Sequence, residues 1–177
     1  MGQAHNLNIK QLTQLARNMN VPDGGFTIKS HGPNTGDSPE NAYMVGQSEF
    51  GRNKIPMPID PTDISDFANS RSAELTKDDR YFGGWHNPAN EMGALDVSKA
   101  YPVSGTMIPP MVDAFLGKEE SIGEVGSGGQ YVRTIPTQNP ADTYYNLVSG
   151  DVRSTGERSP DTAMKRLKET KSRLENS

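Results

Sequence analysis

The segment 80–102 concentrates the residues that could perform chemistry. It contains the only Trp of the chain, Trp85, directly before one of its three His, His86. An imidazole titrates near neutral pH and can act as a general base when a carboxylate orients it. In a hairpin formed by this segment, Asp96 would lie on the strand that pairs with the strand of His86. This pattern permits an enzymatic site near His86 and Asp96.

The same residues have a structural interpretation, which the sequence favours. Alternation along a strand would point Trp85 towards the core and His86 towards solvent. The Asn-Pro pair that follows is typical of a turn, and Gly83 and Gly84 permit a bulge or a close approach of two backbones. We therefore predict a hairpin rather than an active site, and we assign no catalytic residue.

Motifs for metals and cofactors are missing from the sequence. The chain has no Cys, which excludes thiolate metal sites, iron–sulfur clusters, disulfides and a Cys nucleophile. His5, His31 and His86 do not follow the spacing of metal ligands. The Gly-rich segment 123–129 lacks the Gly-Lys-Ser/Thr ending of a phosphate-binding loop and is predicted to be a hinge. We predict no metal and no cofactor.

The composition favours a folded core smaller than the whole chain. Of 177 residues, 32% are hydrophobic, 18 are Gly and 13 are Pro, above the usual shares of roughly 7% Gly and 5% Pro. A core of about 100–130 residues with long loops would still fold alone. No apolar stretch approaches the roughly 20 residues of a membrane-spanning helix, and we predict no membrane contact.

Helical spacing of apolar residues appears in three segments of the first 136 residues. Residues 5–19 would begin at a cap formed by Asn6 or Asn8. In residues 60–75, Thr62 or Asp60 can cap the helix and Pro61 suits its first turn. Segment 107–121 contains a third helix that begins near Pro110. In the first helix, Ile9, Leu12, Ala16 and Met19 fall at helical spacing, with Leu15 beside them. The predicted buried residues are Ile64, Phe67, Ala68 and Leu75 in the second helix and Met111, Ala114 and Phe115 in the third.

Five segments are predicted as strands from alternation and flanking turn residues. Residues 26–30 and 43–46 would form a hairpin with a long connection. Residues 80–87 and 94–101 would form a tighter antiparallel pair, and residues 130–136 would be the last strand. The predicted class is α+β: a small antiparallel sheet with two or three packed helices, an N-terminal helix, an extended C-terminal arm and a terminal helix.

Three parts are predicted along the chain: an N-terminal helix over 1–22, an α+β core domain over 23–136, and an arm with a terminal helix over 137–177. The arm is rich in turn residues. The terminal helix, within 159–177, has an apolar stripe too narrow for a core element. We therefore predict that it binds a partner. The predicted partner-binding residues are Met164, Leu167 and Leu174 of that helix, with Tyr144 and Tyr145 of the arm.

The charge distribution argues against a nucleic-acid partner. The formal net charge is −4, and residues 151–177 carry seven Lys/Arg against five Asp/Glu. Pairs four residues apart, such as Lys165 with Glu169, explain these charges as support for a helix. The basic excess is too small to predict binding to phosphates.

A family resemblance appears in the order of the segments GGFTI, YMVG, PTDISDF and YFGGWHNPANEMGALDVSKAYP. This order resembles a small domain that recurs in proteins of bacteriophages and phage-like mobile elements. There, a Gly-Gly-Trp segment and a Leu-Asp-Val-Ser segment form a hairpin after a helix. The resemblance covers about residues 24–135. It implies a phage origin and carries over no catalytic residue.

These observations lead to one functional expectation and one alternative. We expect a non-enzymatic bacteriophage protein in the capsid, connector or tail of the virion, made in the host cytoplasm. Its partners would be other phage structural proteins or copies of itself. The alternative is a small phage-encoded enzyme or host-directed effector with a site near His86 and Asp96.

Overall fold

The structure, a computed structural model, describes residues 4–119 and 121–137. Its helices and strands form two compact units. The first unit comprises residues 4–40 and 47–100, and the second comprises residues 41–46 with the described residues from 101 onward. The elements are α1 (Ile9–Met19), β1 (Gly25–Ile28), β2 (Ala42–Gly46), β3 (Arg52–Ile55), α2 (Pro61–Ser70), α3 (Ser72–Leu75), β4 (Arg80–Asn87), β5 (Met92–Pro102), α4 (Ile108–Leu116), β6 (Ser121–Val125) and β7 (Tyr131–Pro136).

The fold class is α+β, as predicted. Within each unit the strand pairs are antiparallel, and the helices pack beside them. Among the described residues, the helices are too short or too polar to cross a membrane. Apart from Thr137, the predicted arm and terminal helix lie outside the described residues.

The β4–β5 hairpin is the centre of the first unit and confirms the predicted pair of strands. Its register runs without interruption from Arg80 opposite Lys99 to Asn87 opposite Met92. On the other side of β4, β1 pairs from Gly25 to Ile28. On the other side of β5, β3 pairs irregularly, with a register shift between its first and last residues.

The predicted hairpin between the first two strands is wrong. β1 pairs with β4, whereas β2 pairs with β6 in the second unit. The connection between β1 and β2 is too long to impose a local register, so side-chain packing decides the partner. Phe26 of β1 meets Phe82 of β4 edge-on, with ring centroids 5.0 Å apart.

The core of the first unit lies between this sheet and helices α1 and α2. Phe82 is fully buried and stacks on Phe67 of α2 at a centroid distance of 5.6 Å. Each such side chain contributes about 1.5–3 kcal/mol through burial. The predicted buried residues Ile64, Phe67, Ala68 and Leu75 all belong to this cluster. It also contains the apolar residues Leu12, Leu15, Ala16 and Met19 of α1.

Helix α1 starts later than predicted. Asn8 caps it: its Oδ1 accepts the backbone N–H of Gln11 at 2.8 Å, and Gln11 Oε1 accepts the backbone N–H of Asn8 at 2.9 Å. Ile9, the first residue of the apolar pattern in this helix, is 78% exposed. Ile9 occupies the first turn, and the buried stripe of the helix begins at Leu12.

The predicted helix over 60–75 forms as two helices. Asp60 is the cap of α2, because its Oδ1 accepts the backbone N–H of Thr62 at 2.9 Å. α2 ends at Ser70, and the short α3 follows after Arg71. Leu75, at the end of α3, is buried as predicted.

In the second unit, α4 packs against the strands β2 and β6. It begins at Ile108, two residues before the predicted start near Pro110. Met111 and Ala114 of α4 are buried as predicted, but Phe115 is only partly buried, and Val112 is fully buried instead. The first three residues of the predicted hinge over 123–129 belong to β6, which continues to Val125 and pairs with β2. The predicted last strand is confirmed as β7.

Candidate functional site

A cleft of about 330 Å³ opens on the outer face of the β4–β5 hairpin in the first unit. Trp85 lies opposite Ala94 in the hairpin ladder, so the two side chains share this face. Asn53 and Lys54 of β3 line the cleft, where the pairing of β3 with β5 shifts register. The cleft thus has Trp85 on one strand, the small Ala94 at its floor and two polar residues on the third strand. We call it the Trp85 cleft.

The turn of the hairpin closes one end of the Trp85 cleft. Asn87 and Asn90 both line it, as does Met92. Asn87 Oδ1 accepts the backbone N–H of Ala89 at 2.9 Å, and Asn90 Oδ1 accepts the backbone N–H of Met92 at 3.0 Å. These two carbonyl oxygens therefore hold the turn, while the amide N–H groups of both side chains remain as donors.

Trp85 and His86 have the opposite orientation from the predicted one. Trp85 is 44% exposed and His86 only 7%. The Trp85 Nε1–H donates to Asp23 Oδ1 at 2.8 Å, which fixes the indole on the outer face. His86 Nδ1 donates to the backbone oxygen of Met19 at 2.9 Å, and its Nε2 is buried with no hydrogen-bond partner among the described residues.

Gly84 explains this orientation. A side chain there would lie 2.5 Å from the ring of Phe26 and 2.7 Å from the sulfur of Met19. The inner face of β4 therefore carries Phe82, the bare backbone of Gly84 and then His86, since alternate residues share a face. Trp85 lies between the last two residues of this series and must point outwards.

The structure does not bring His86 and Asp96 together. Asp96 lies opposite Gly83, which is three positions from His86 and on the other face of β4. Burial raises the pKa of the Asp96 carboxyl, and a hydrogen bond from Ser98 Oγ at 3.4 Å opposes that rise. A carboxylate that cannot reach the imidazole cannot orient it as a base. The geometry of the alternative enzymatic site is therefore absent.

The other two His hold the loop segments onto helices α2 and α3. His5 Nε2 lies 2.6 Å from Ser65 Oγ, and its Nδ1 accepts the backbone N–H of Leu7 at 3.1 Å. His31 lies between two hydroxyls, with Nδ1 2.7 Å from Ser30 Oγ and Nε2 2.9 Å from Ser72 Oγ. These contacts anchor segments that have no strand or helix of their own.

The His31–Ser72 pair does not form a nucleophile and base. Ser72 Oγ donates its hydrogen to the backbone oxygen of Asn69 at 2.8 Å. The His31 Nε2–H must then donate to Ser72 Oγ, because that oxygen has no second hydrogen to give. An imidazole that donates to a serine cannot remove its proton. Both groups are also buried.

Lys29 is a buried cation that the sequence analysis did not identify. Its Nζ donates to the backbone oxygens of Lys77, Asp78 and Arg80, each at 2.9 Å. Burial lowers the pKa of this ammonium, and the nearby carboxylates of Asp78 and Asp79 oppose that change. All three donors are in use, so Lys29 fastens the turn between α3 and β4.

The second unit exposes apolar side chains on β7. Tyr131 is 70% exposed and Val132 is 50% exposed. Within the part of the chain that the structure describes, β7 pairs with β6 along one edge only. We call this strand the β7 edge. Arg133 donates from Nε to Glu124 Oε1 of β6 at 2.8 Å, so its charge is compensated.

The predicted partner-binding residues lie outside the described residues. They are Tyr144, Tyr145, Met164, Leu167 and Leu174. In the ranges 4–119 and 121–137, no group of three or more His, Cys, Asp or Glu could hold a metal ion.

Comparison with known proteins gives no relative. The chain matches no family model, no curated protein and no solved structure.

Proposed function

We propose that this protein is a non-enzymatic structural or accessory component of a bacteriophage virion, in the capsid, connector or tail. It acts through contacts with other phage proteins or with copies of itself. It is made in the host cytoplasm and resides in the virion after assembly. The resemblance of residues 24–135 to a small phage domain supports the phage origin.

The observation that carries the protein-binding role is the β7 edge. From Arg133 to Pro136, beyond the register shift at Tyr131 and Val132, β7 pairs regularly with β6. The other edge of this regular stretch presents free backbone N–H and C=O groups and can add a strand from another chain. Tyr131 and Val132 would be covered by such a partner. Tyr is among the residues enriched at protein interfaces. Single exposed apolar residues are common on any surface, but two adjacent ones on an open strand edge favour an interface.

The non-enzymatic role is supported by the positions of the three His. His5, His31 and His86 each form hydrogen bonds to hydroxyls or backbone groups of the first unit. No pair of nucleophile and base follows from these contacts. The side chains best suited to acid–base catalysis near neutral pH therefore have structural roles in this protein.

The phage role is tested on particles from a host that carries the gene. Virions would be induced, purified by density and analysed by quantitative mass spectrometry. We expect peptides of this chain in a fixed ratio to the major structural proteins. A chain that is abundant in the lysate but missing from intact virions contradicts the proposal.

The role of the β7 edge is tested with a pair of matched substitutions. Val132→Lys places a charge on the edge, which is expected to reduce incorporation into virions at least tenfold because a buried unpaired charge opposes assembly. Ile9→Lys is the control, since Ile9 is equally apolar and more exposed but lies on helix α1. Equal incorporation of both variants would show that the β7 edge is not the interface.

A further inference from the structure

We propose that the Trp85 cleft binds a saccharide that carries a carboxylate, with a sugar ring stacked on Trp85. The volume of about 330 Å³ lies at the lower end of the roughly 300–1,000 Å³ that small-molecule sites occupy. One or two sugar rings fit this size. The proposal does not depend on the role in a virion.

Trp85 provides a preformed aromatic wall. Its Nε1–H is already bonded to Asp23 Oδ1, so the indole keeps its orientation without a ligand. Trp85 is 44% exposed and lines the cleft, so a ligand can bury apolar ring surface against it, which is favourable. A pyranose ring matches such a wall because one of its faces consists of C–H groups while its rim carries hydroxyls.

Ala94 makes room for that ring. It is the direct cross-strand neighbour of Trp85, and the irregular stretch of β3 lies on its other side. A larger residue at the middle of this row would fill the space beside the indole. The sheet therefore forms a trough across three strands rather than a flat face.

The polar lining favours a ligand that accepts hydrogen bonds. The side-chain oxygens of Asn87 and Asn90 are used within the turn, which leaves their N–H groups for a ligand. Lys54 adds an ammonium, a group with donors and no acceptor. Asn53 can both donate and accept. Donors thus predominate, and a carboxylate with its acceptor oxygens complements them better than a neutral or cationic group.

A peptide is the weaker candidate for this cleft. An added strand needs a continuous ladder of backbone groups, and β3 is irregular where it borders the cleft. The groups that face the cleft are side-chain amides and an ammonium around a short trough. This set recognises a compact ring with polar substituents rather than an extended backbone.

The test uses the intrinsic fluorescence of the full chain, because Trp85 is its only Trp. The probes are digalacturonic acid, N-acetylneuraminic acid and a glucuronate disaccharide, with galactobiose as the neutral counterpart of the first. We expect a saturable change in emission with at least one acid. For digalacturonic acid and galactobiose, we expect the neutral sugar to bind at least tenfold more weakly.

Two variants assign the binding to the cleft. Lys54→Met is expected to remove the preference for the acid while leaving weak binding of galactobiose, whereas Lys10→Met on the exposed surface of α1 should behave like the wild type. Ala94→Leu is expected to abolish both responses. Circular dichroism and thermal unfolding establish that each variant is folded. The Trp85 indole N–H signal in a two-dimensional NMR spectrum gives a second measure of ligand binding.

Several outcomes would overturn the proposal. These are the absence of a saturable response to all three acids, an unchanged acid preference in Lys54→Met, or binding that survives in folded Ala94→Leu. If Ala94→Leu does not fold, the shift of the Trp85 indole N–H signal in the wild-type chain decides: no shift on adding the acids would refute the site. Binding of a proline-rich peptide but no saccharide would also refute it.

Discussion

Asp96 lies directly opposite Gly83 in the β4–β5 ladder, and its carboxylate fills the space that a side chain at position 83 would occupy. The only hydrogen bond to this carboxylate among the described side chains is the long one from Ser98. Such a carboxylate loses hydration without gaining a counter-charge. Glycine at position 83 is therefore required by its neighbour across the strand rather than by its own backbone.

Substitution of Asp96 by Asn should stabilise the protein at neutral pH. Burial raises the pKa of Asp96 above its ordinary value, so the folded state holds the proton to a higher pH than the unfolded state does. Its contribution to stability is then present below the unfolded pKa and is lost as the pH rises through the folded pKa. We expect Asp96→Asn to gain on the order of 1 kcal/mol at pH 7.

This gain should shrink as the pH falls, because the wild-type carboxyl becomes neutral as well. Urea unfolding of both proteins at a series of pH values measures the difference in their unfolding free energies. Asp66→Asn, on the exposed surface of α2, is the control. A pH-independent difference between Asp96→Asn and the wild type would contradict this account.

Gly83→Ala should be destabilising, by about 1–3 kcal/mol, as is typical of overpacking. The added methyl would collide with Oδ1 of Asp96. The loss in unfolding free energy caused by Gly83→Ala should fall by at least half in an Asp96→Ala background, because the colliding oxygen is gone. A double-mutant cycle on unfolding free energies measures this coupling, and additive effects would show that the two residues do not compete for space.

Acidification should loosen the N-terminal segment through His5. Burial lowers the pKa of His5 below its ordinary value, so the neutral imidazole is the form that the folded state stabilises. This stability is present above the unfolded pKa and is lost as the pH falls through the folded pKa. Protonation also removes the Nδ1 acceptor of the Leu7 N–H.

His5→Asn should reduce this acid sensitivity, because its amide does not titrate. Amide hydrogen exchange of residues 5–8, measured on either side of pH 6.5, tests the prediction. We expect faster exchange in acid for the wild type and a smaller change for the variant, after correction for the intrinsic exchange rates. An identical pH response in both proteins would exclude His5 as the cause.

Lys29→Met should destabilise the first unit by about 1–3 kcal/mol, since it leaves buried carbonyl oxygens without a donor. Three backbone oxygens between residues 77 and 80 lose their shared partner. Lys10→Met, at an exposed position of α1, is the matched control. Urea unfolding measures both, and similar stabilities would mean that water replaces the ammonium at no cost.

The local elements follow from the sequence alone, for physical reasons. The apolar residues of α1 recur at helical spacing, and the Asp60-Pro61 pair starts α2 because its side chain and its fixed φ suit a helix N-terminus. The two strands of the hairpin alternate across a short turn, so their pairing is local. These features depend on neighbours within a few residues.

The candidate site could be predicted only in part. The sequence identifies the segment around Trp85 as distinctive, but Asn53 and Lys54 come from β3, which is more than thirty residues away along the chain. Their position beside Ala94 depends on the irregular pairing of β3 with β5. No local pattern encodes such a shift in register.

The tertiary structure alone decided which face of the hairpin is buried. Alternation separates Trp85 from His86 but does not say which of them points inwards. Phe26 and Met19 decide it, because they occupy the space that Gly84 leaves open on the inner face. The same packing gives β1 its partner, β4. The sequence by itself determined the elements of this protein, whereas contacts between distant segments determined which strands pair and which side chains remain available for binding.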